Sequence, residues 1–385
     1  MDLKIFFSPI DEDVFSDITD PSSFFKSISI FADRQPSYKG LNIAIIGLPN
    51  HNLVDESGCH IAADEIRRKL YRLKKGFGQY KIADLGNLRK GIDINETQLR
   101  VKEVCAALIE NEVLPLLIGG SHEFTFGQYL AYEHLDKLVS ILNIDAFLDI
   151  DNDGRPVNSK NHLNKILLYE PNYLFSLYQL AHQSYLIDQQ TLAVLEKLYF
   201  DAYRLGHLRQ HLPEMEPIIR DADMMSFDIT AIKSSDAPGN SNAQPFGLTG
   251  EEACQICWYA GLNEKMSSVG FYEYDPQADD AHFKTAAVVA TMIWYFVEGF
   301  YNRKEEHNFR GNDYMRYVVS TPTEPENIIF YKSKLSEKWW MEVPYPHEKF
   351  LYERNLIVPC SYTDYQTATR GEIPERWIST QARLL

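Results

Sequence analysis

Short apolar runs and helix-length amphipathic segments alternate through most of this chain. Residues 41–46 form a nearly continuous apolar run closed by Gly47-Leu48-Pro49, the pattern of a strand buried on both faces. Residues 62–75 place Ile66, Leu70 and Leu73 on one face at helical spacing. Residues 80–85 read as the next strand. Asn95 is expected to cap a helix reaching Asn111, with Gln98 as its capping-box partner. The run 113–118 passes through Gly119-Gly120 into a helix over 124–135. Further strands are predicted at 138–144 and 224–227, and a helix at 283–300. Such alternation predicts an α/β fold in three layers, a doubly wound parallel sheet with helices on both faces.

The flanks differ in character. Apolar stretches at 3–7 and 24–31 predict an N-terminal arm over 1–38 that adds an edge strand. The central α/β domain is expected over 39–300. Beyond it, Asn302-Arg303-Lys304-Glu305-Glu306-His307-Asn308 opens a segment with a predicted strand at 327–331 and an aromatic helix start at Trp339-Trp340. Residues 301–385 are too apolar for a disordered tail. They are expected to pack on the core or reach a neighbouring subunit.

Composition narrows the partners. The 385 residues carry 54 acidic and 38 basic side chains, a formal charge of −16. With no basic block, this argues against nucleic acid or an anionic membrane. The longest apolar candidate for a membrane span, 286–300, is short and interrupted by Glu298. Met1-Asp2-Leu3-Lys4 does not open a secretory signal, so a cytoplasmic location is expected. Five cysteines read as reduced thiols, and Cys254-Gln255-Ile256-Cys257 as buried side chains on a helix face rather than a redox or zinc motif.

Candidate chemistry sits just past three of the strand-like runs: Gly119-Gly120-Ser121-His122, Asp145-Ala146-Phe147-Leu148-Asp149 and Ser226-Phe227-Asp228-Ile229-Thr230. Parallel strands share one rim at their carboxyl ends, where α/β proteins bind ligands. One His and three Asp on that rim offer an imidazole and hard oxygens, a set suited to Mn²⁺ or a similar divalent ion.

These pieces resemble the ureohydrolase family of arginase, agmatinase and formimidoylglutamase. That family carries Gly-Gly-Asp-His, Asp-Ala-His-x-Asp and Ser-x-Asp-x-Asp, followed by an Ala-Pro-Gly turn and a later Glu before Pro. Ala237-Pro238-Gly239 and Glu273-Tyr274-Asp275-Pro276 supply the last two elements in the same order. The resemblance implies that His122, Asp145, Asp149 and Asp228 correspond to the ligands of one Mn²⁺ ion. A second ion would need the positions occupied by Phe147 and Thr230, neither of which replaces the family ligand. One ion at most is therefore expected.

Ser121 stands where the family has Asp, which reduces any outer-shell support for His122. Glu273 matches the carboxylate that pairs with an amidinium or guanidinium substrate, the alternative being an ordinary strand-end Glu. His162 lies where arginases place a proton-shuttling His. Leu163 replaces the usual Gly after it, and 161–168 also reads as a helix start bearing an exposed His. Arg155 and Asn161, in the same loop, are candidates for holding the substrate's far end, with a solvated Arg155 as the alternative.

The expected function is hydrolysis of a linear amidine or guanidine C–N bond, formimidoylglutamate-like, with Asp145, His162 and Glu273 as catalytic residues. The open alternative is an inactive relative that binds a ligand or partner at the same rim. The resemblance further implies a homo-oligomer.

Overall fold

The computed structural model describes residues 3–50, 60–150, 159–306, 309, 311–322, 324–345 and 355–384. Ten strands form the central sheet: β1 (Phe7–Ser8), β2 (Ser29–Ile30), β3 (Ile43–Gly47), β4 (Ile82–Leu88), β5 (Leu114–Ile118), β6 (Val139–Ile144), β7 (Leu174–His182), β8 (Asp201–Arg204), β9 (Met224–Asp228) and β10 (Ser268–Tyr272). Their order is β1-β4-β3-β5-β10-β9-β6-β7-β8, with β2 also paired to β4. Every pairing is parallel except β1 with β4.

The two-sided burial that the apolar runs predict is visible residue by residue. In β3, Ile43 and Ile45 pack into one core while Ala44 and Ile46 pack into another. In β6, Leu142 and Ile144 face the first core and Val139 and Ile141 face a third. The first face is covered by α1 (Ile61–Leu70), α6 (Leu205–Gln210), α7 (Glu216–Asp221), α8 (Gly250–Leu262) and α9 (Lys284–Tyr301). The opposite face carries α2 (Ile94–Glu110), α3 (Phe124–His134), α4 (His162–Leu167) and α5 (Gln189–Lys197). This is the expected doubly wound α/β fold. Among the described residues no helix is long and apolar enough to cross a membrane.

The chain beyond α9 forms a second, antiparallel sheet of β11 (Tyr314–Ser320), β12 (Asn327–Ser333), β13 (Trp339–Pro344) and β14 (Asn355–Cys360), followed by α10 (Tyr362–Thr369) and α11 (Glu375–Leu384). Trp339-Trp340 therefore lies in a strand and does not start a helix. β13 is paired on both sides, and its two tryptophans cover opposite faces. Trp339 stacks on Tyr365 at 4.8 Å, while Trp340 meets the Arg220 guanidinium at 4.2 Å. Arg220 also donates Nη2–H to the Trp339 carbonyl at 3.0 Å, joining α7 to this sheet. Arg383 of α11 reaches back to Ser176 at 2.7 Å and Asp201 at 2.8 Å.

Two smaller expectations are corrected. The α2 helix is capped by Asp93, whose carboxylate accepts the Glu96 N–H at 2.8 Å, while Glu96 accepts from the Ile92 N–H. Asp93, two residues before Asn95, already satisfies a first-turn N–H and so starts the helix earlier. Gln98 is buried instead, donating to the Glu123 carbonyl. Cys254 and Cys257 are buried free thiols on α8, as their helical spacing predicts.

Beneath α1 lies a fully buried ion pair. Arg67 grips Asp84 of β4 with Nε and Nη2, both at 2.9 Å, and the Tyr71 hydroxyl donates to the same carboxylate at 2.8 Å. Removing one partner of such a pair strands a buried charge. Arg67→Met is expected to lower unfolding free energy by about 3–5 kcal/mol in urea titrations. A loss below about 1 kcal/mol would show that Asp84 is compensated by other means.

Candidate metal centre

Four neighbouring strands, β5, β10, β9 and β6, end side by side and place the polar residues on one rim. His122 follows β5, Glu273 follows β10, Asp228 ends β9, and Asp145 follows β6. After β5 the backbone turns through Gly119 and Gly120 at φ +76° and +75°, a region that glycine enters without strain. A Cβ on Gly120 would also stand 2.9 Å from Leu48 and from the Phe124 ring. The double glycine thus sets how close His122 approaches the sheet.

The His122 ring is fully buried. Its Nδ1 lies 3.1 Å from Asp228 Oδ2, 3.4 Å from Asp149 Oδ2 and 3.5 Å from Asp145 Oδ2. On the other side, Nε2 meets Ser226 Oγ at 2.8 Å, and Ser226 is 2.6 Å from Thr125 Oγ1. An Nε2–H donated to Ser226 leaves the Nδ1 lone pair facing the carboxylates, the orientation a metal-ligating imidazole needs. The ring also stacks on Tyr272 at 5.4 Å.

The carboxylates divide their oxygens. Asp145 Oδ1 accepts from the Phe147 N–H at 2.9 Å and the Thr230 hydroxyl at 3.0 Å. Asp228 Oδ1 accepts the Thr230 N–H at 2.7 Å. Both Oδ2 atoms face the imidazole. His122 Nδ1 and Asp145 Oδ2 are buried without an aligned hydrogen bond, though the ion-pair distances are short. Ligand atoms of His122, Asp145, Asp149 and Asp228 all lie within 4.8 Å of one another. Buried polar atoms are otherwise nearly always partnered, so this geometry and donor set fit a divalent ion such as Mn²⁺.

Charge follows from crowding. Burial, and then the charges of Asp149 and Asp228, hold the Asp145 carboxyl well above its ordinary range. Asp149 is also raised by burial, with His122 pulling the other way. Burial works against a charged His122. Its contacts with Asp149 and Asp228, and the charges of Asp228 and Asp145, outweigh that and keep it well above its ordinary value. Burial, followed by the Asp228 charge, pushes Glu273 up to about 8.

Glu273 is locked by reciprocal backbone contacts. Its Oε1 accepts the His122 N–H at 2.7 Å, and its own N–H donates to the Gly120 carbonyl at 3.0 Å. It sits at φ +66°, outside the usual range for a side chain of this size. Asn240, just past Ala237-Pro238-Gly239, donates to the Glu273 carbonyl at 2.6 Å. The turn motif therefore supports this strand end. Glu273, Asp228 and Asp149 line a cavity of ≈ 250 Å³ together with Phe147, Thr230 and Lys160. Lys160 is the single cation among its described lining residues.

His162 does start a helix, α4, but it is buried and not exposed. Its ring centroid lies 4.1 Å from that of His122, and its Nδ1 lies 3.0 Å from the Ser159 carbonyl and 3.6 Å from Asp149 Oδ2. Burial and the neighbouring His122 charge hold its pKa well below the ordinary value. Asn161 is buried at the helix start, while Ser159 and Lys160 form the cavity wall. Arg155 lies outside the described residues. Sequence reading missed Lys160 and the support that Ser226 gives His122, although Ser226 opens the third motif.

This chain is 29% identical over 228 residues to the formimidoylglutamase of Staphylococcus haemolyticus, covering 56% of this chain and 71% of that one. The structure of Trypanosoma cruzi formiminoglutamase with Mn²⁺ superposes with a TM-score of 0.62 at 20% identity, covering 71% of this chain and 97% of that one. Formimidoylglutamase from Bacillus subtilis gives a TM-score of 0.64 at 19% identity, with 75% and 96% covered. At these identities the solved structures speak for the fold. Residues 41–298 match the model of the Arginase family, and the chain belongs to that family.

Proposed function

We propose that this protein hydrolyses the C–N bond of a linear amidine, with a formimidoylglutamate-like compound as substrate, using one divalent ion. The observation that carries this reading is the convergence of four ligand atoms within 4.8 Å beside a locked carboxylate on the same rim. The names of the similar proteins support the substrate class.

His122, Asp145, Asp149 and Asp228 are assigned as ligands. A divalent ion held there supplies Lewis acidity that makes water nucleophilic near neutral pH. Glu273 presents its carboxylate to the amidinium, whose planar N–H donors match a fixed acceptor. His162 is held neutral, and its Nδ1–H donated to Ser159 leaves Nε2 to accept a proton. Lys160 is assigned to the carboxylate end of the substrate, as the sequence assigns Arg155, and Asn161 to hydrogen bonding there. Water adds to the amidine carbon, the C–N bond breaks, and the amine leaves with a proton.

Asp145 supports the reading of a single ion. Its Oδ1 is engaged by Thr230 and by the Phe147 N–H, so the oxygen turned away from His122 is already satisfied. The same observation favours a second reading, a site that binds an amidine or a partner without turnover.

Three outcomes are expected. Elemental analysis after Mn²⁺ loading should find one ion per chain, rising towards two in Phe147→His/Thr230→Asp. Two ions in the unaltered chain would refute the assignment, and none would favour the second reading.

Glu273→Gln should weaken substrate binding roughly ten- to a hundredfold, the equivalent of about 1.5–3 kcal/mol for a charge-assisted hydrogen bond. Calorimetry and amine, ammonia or urea release with formimidoylglutamate, agmatine and arginine measure this, with Asp228→Ala as control. Binding and turnover that survive both changes would overturn the reading.

Stability should depend on pH and metal together. Between pH 4.5 and about 8 an unfolded chain ionises Glu273 while the folded, metal-free chain keeps it protonated, so rising pH removes stability. The raised His122 acts in the same direction above pH 6.5. Mn²⁺ should therefore raise Tm by several degrees more at pH 8 than at pH 5.5 in thermal melts. Equal shifts would show that the ion displaces no protons.

A further inference from the structure

The loops entering β9 and β10 lie at the opposite ends of those strands from the metal centre. There they meet the C-terminal sheet across a cavity of ≈ 490 Å³, within the size range of small-molecule sites. Although the chain carries a formal charge of −16, this cavity is lined by five basic residues and three acidic ones.

Two of the basic residues are short of acceptors. Arg220 is 6% exposed. It donates Nε–H to Glu216 at 2.9 Å and Nη2–H to the carbonyls of Trp339 and Cys360, and its guanidinium lies on the Trp340 ring, while among the described residues its buried Nη1 has no hydrogen-bond partner. Arg303 donates to the carbonyls of Gly261 at 2.9 Å and Met266 at 3.4 Å. Among the described residues it has no carboxylate at ion-pair distance. Burial pulls its pKa down to about 10, with the charge of Glu264 pulling the other way. Lys265 is paired with Asp221 and Asp223, and Lys338 with Glu216. Glu264 and Glu306 are turned to backbone N–H and serine donors. Phe309, Leu356 and Val358 contribute apolar surface to the same cavity.

A buried guanidinium N–H without an acceptor calls for an explanation, and an anion is the simplest one. We propose that this seam binds a small organic anion, its carboxylate or phosphate head on Arg220 and Arg303 and its apolar body against Phe309, Leu356 and Val358. The ligand touches both the arginase fold and the C-terminal sheet, so binding holds the two together. It needs no metal and no catalysis.

The test uses the full chain in chelator, titrated calorimetrically and by thermal melt with benzoate, hexanoate, phenyl phosphate, acetate and inorganic phosphate. At least one organic anion should raise Tm and bind about tenfold or more tightly than acetate and inorganic phosphate. Preference for benzoate and hexanoate identifies a carboxylate site, and preference for phenyl phosphate a phosphate site. Arg303→Gln and Arg303→Lys should each weaken that binding about tenfold while circular dichroism stays unchanged. If Arg303→Gln unfolds, Arg303→Lys decides. The proposal falls if none of the organic anions binds at about 10 mM, if the two small anions bind as well, or if a folded variant binds like the unaltered chain.

Discussion

Asp145, Asp149 and Asp228 crowd around the buried His122 imidazole, with Glu273 beside them on the same rim. Several carboxylates cannot all ionise there without a cation, because like charges at a few ångströms repel strongly in a poorly screened interior. Three kinds of positive charge meet the need: protons on the acids, a proton on His122, or a divalent ion. The surrounding structure serves this cluster. Glycines at positive φ bring His122 in, Ser226 fixes its ring, and Glu273 is held in a strained backbone conformation by two reciprocal hydrogen bonds. Such strain persists where neighbouring contacts over-determine the geometry, as they do at this strand end.

Thr230 gives the cluster its asymmetry. A hydroxyl placed 3.0 Å from Asp145 Oδ1 fills by hydrogen bonding a position that the resemblance assigns to a charged ligand. The side of the cluster facing His122 keeps its unsatisfied atoms, while the side facing Phe147 and Thr230 is satisfied and partly apolar. The proposed single ion and the proposed amidinium carboxylate are mutually compatible, since Glu273 lies on the His122 side of the rim.

Much of this was legible in the sequence because the central strands are buried on both faces. Two-sided burial writes unbroken apolar runs, and three of the runs here ended at a motif. What the sequence hid depended on contacts between distant segments. His162 was readable as a helix start, but its burial against His122 comes from the docking of α4 beside α3. Trp339-Trp340 suggested a helix start because no alternation marks a strand whose two faces both pack. Asp93 lost the capping assignment to Asn95 through boundary uncertainty of two residues, a common feature of helix ends. Arg220 and Arg303 read as ordinary charged residues until the second sheet closed over them.

The end of the chain carries a different consequence. Strand β8 is the last strand of the central sheet, and an exposed edge of this kind offers unpaired backbone groups to another chain. Arg383 reaches from the final helix to the Tyr199 carbonyl, Ser176 and Asp201, across the two outermost strands. The C-terminal helix is thus tied to the start of that border strand, so a disturbance of one reaches the other.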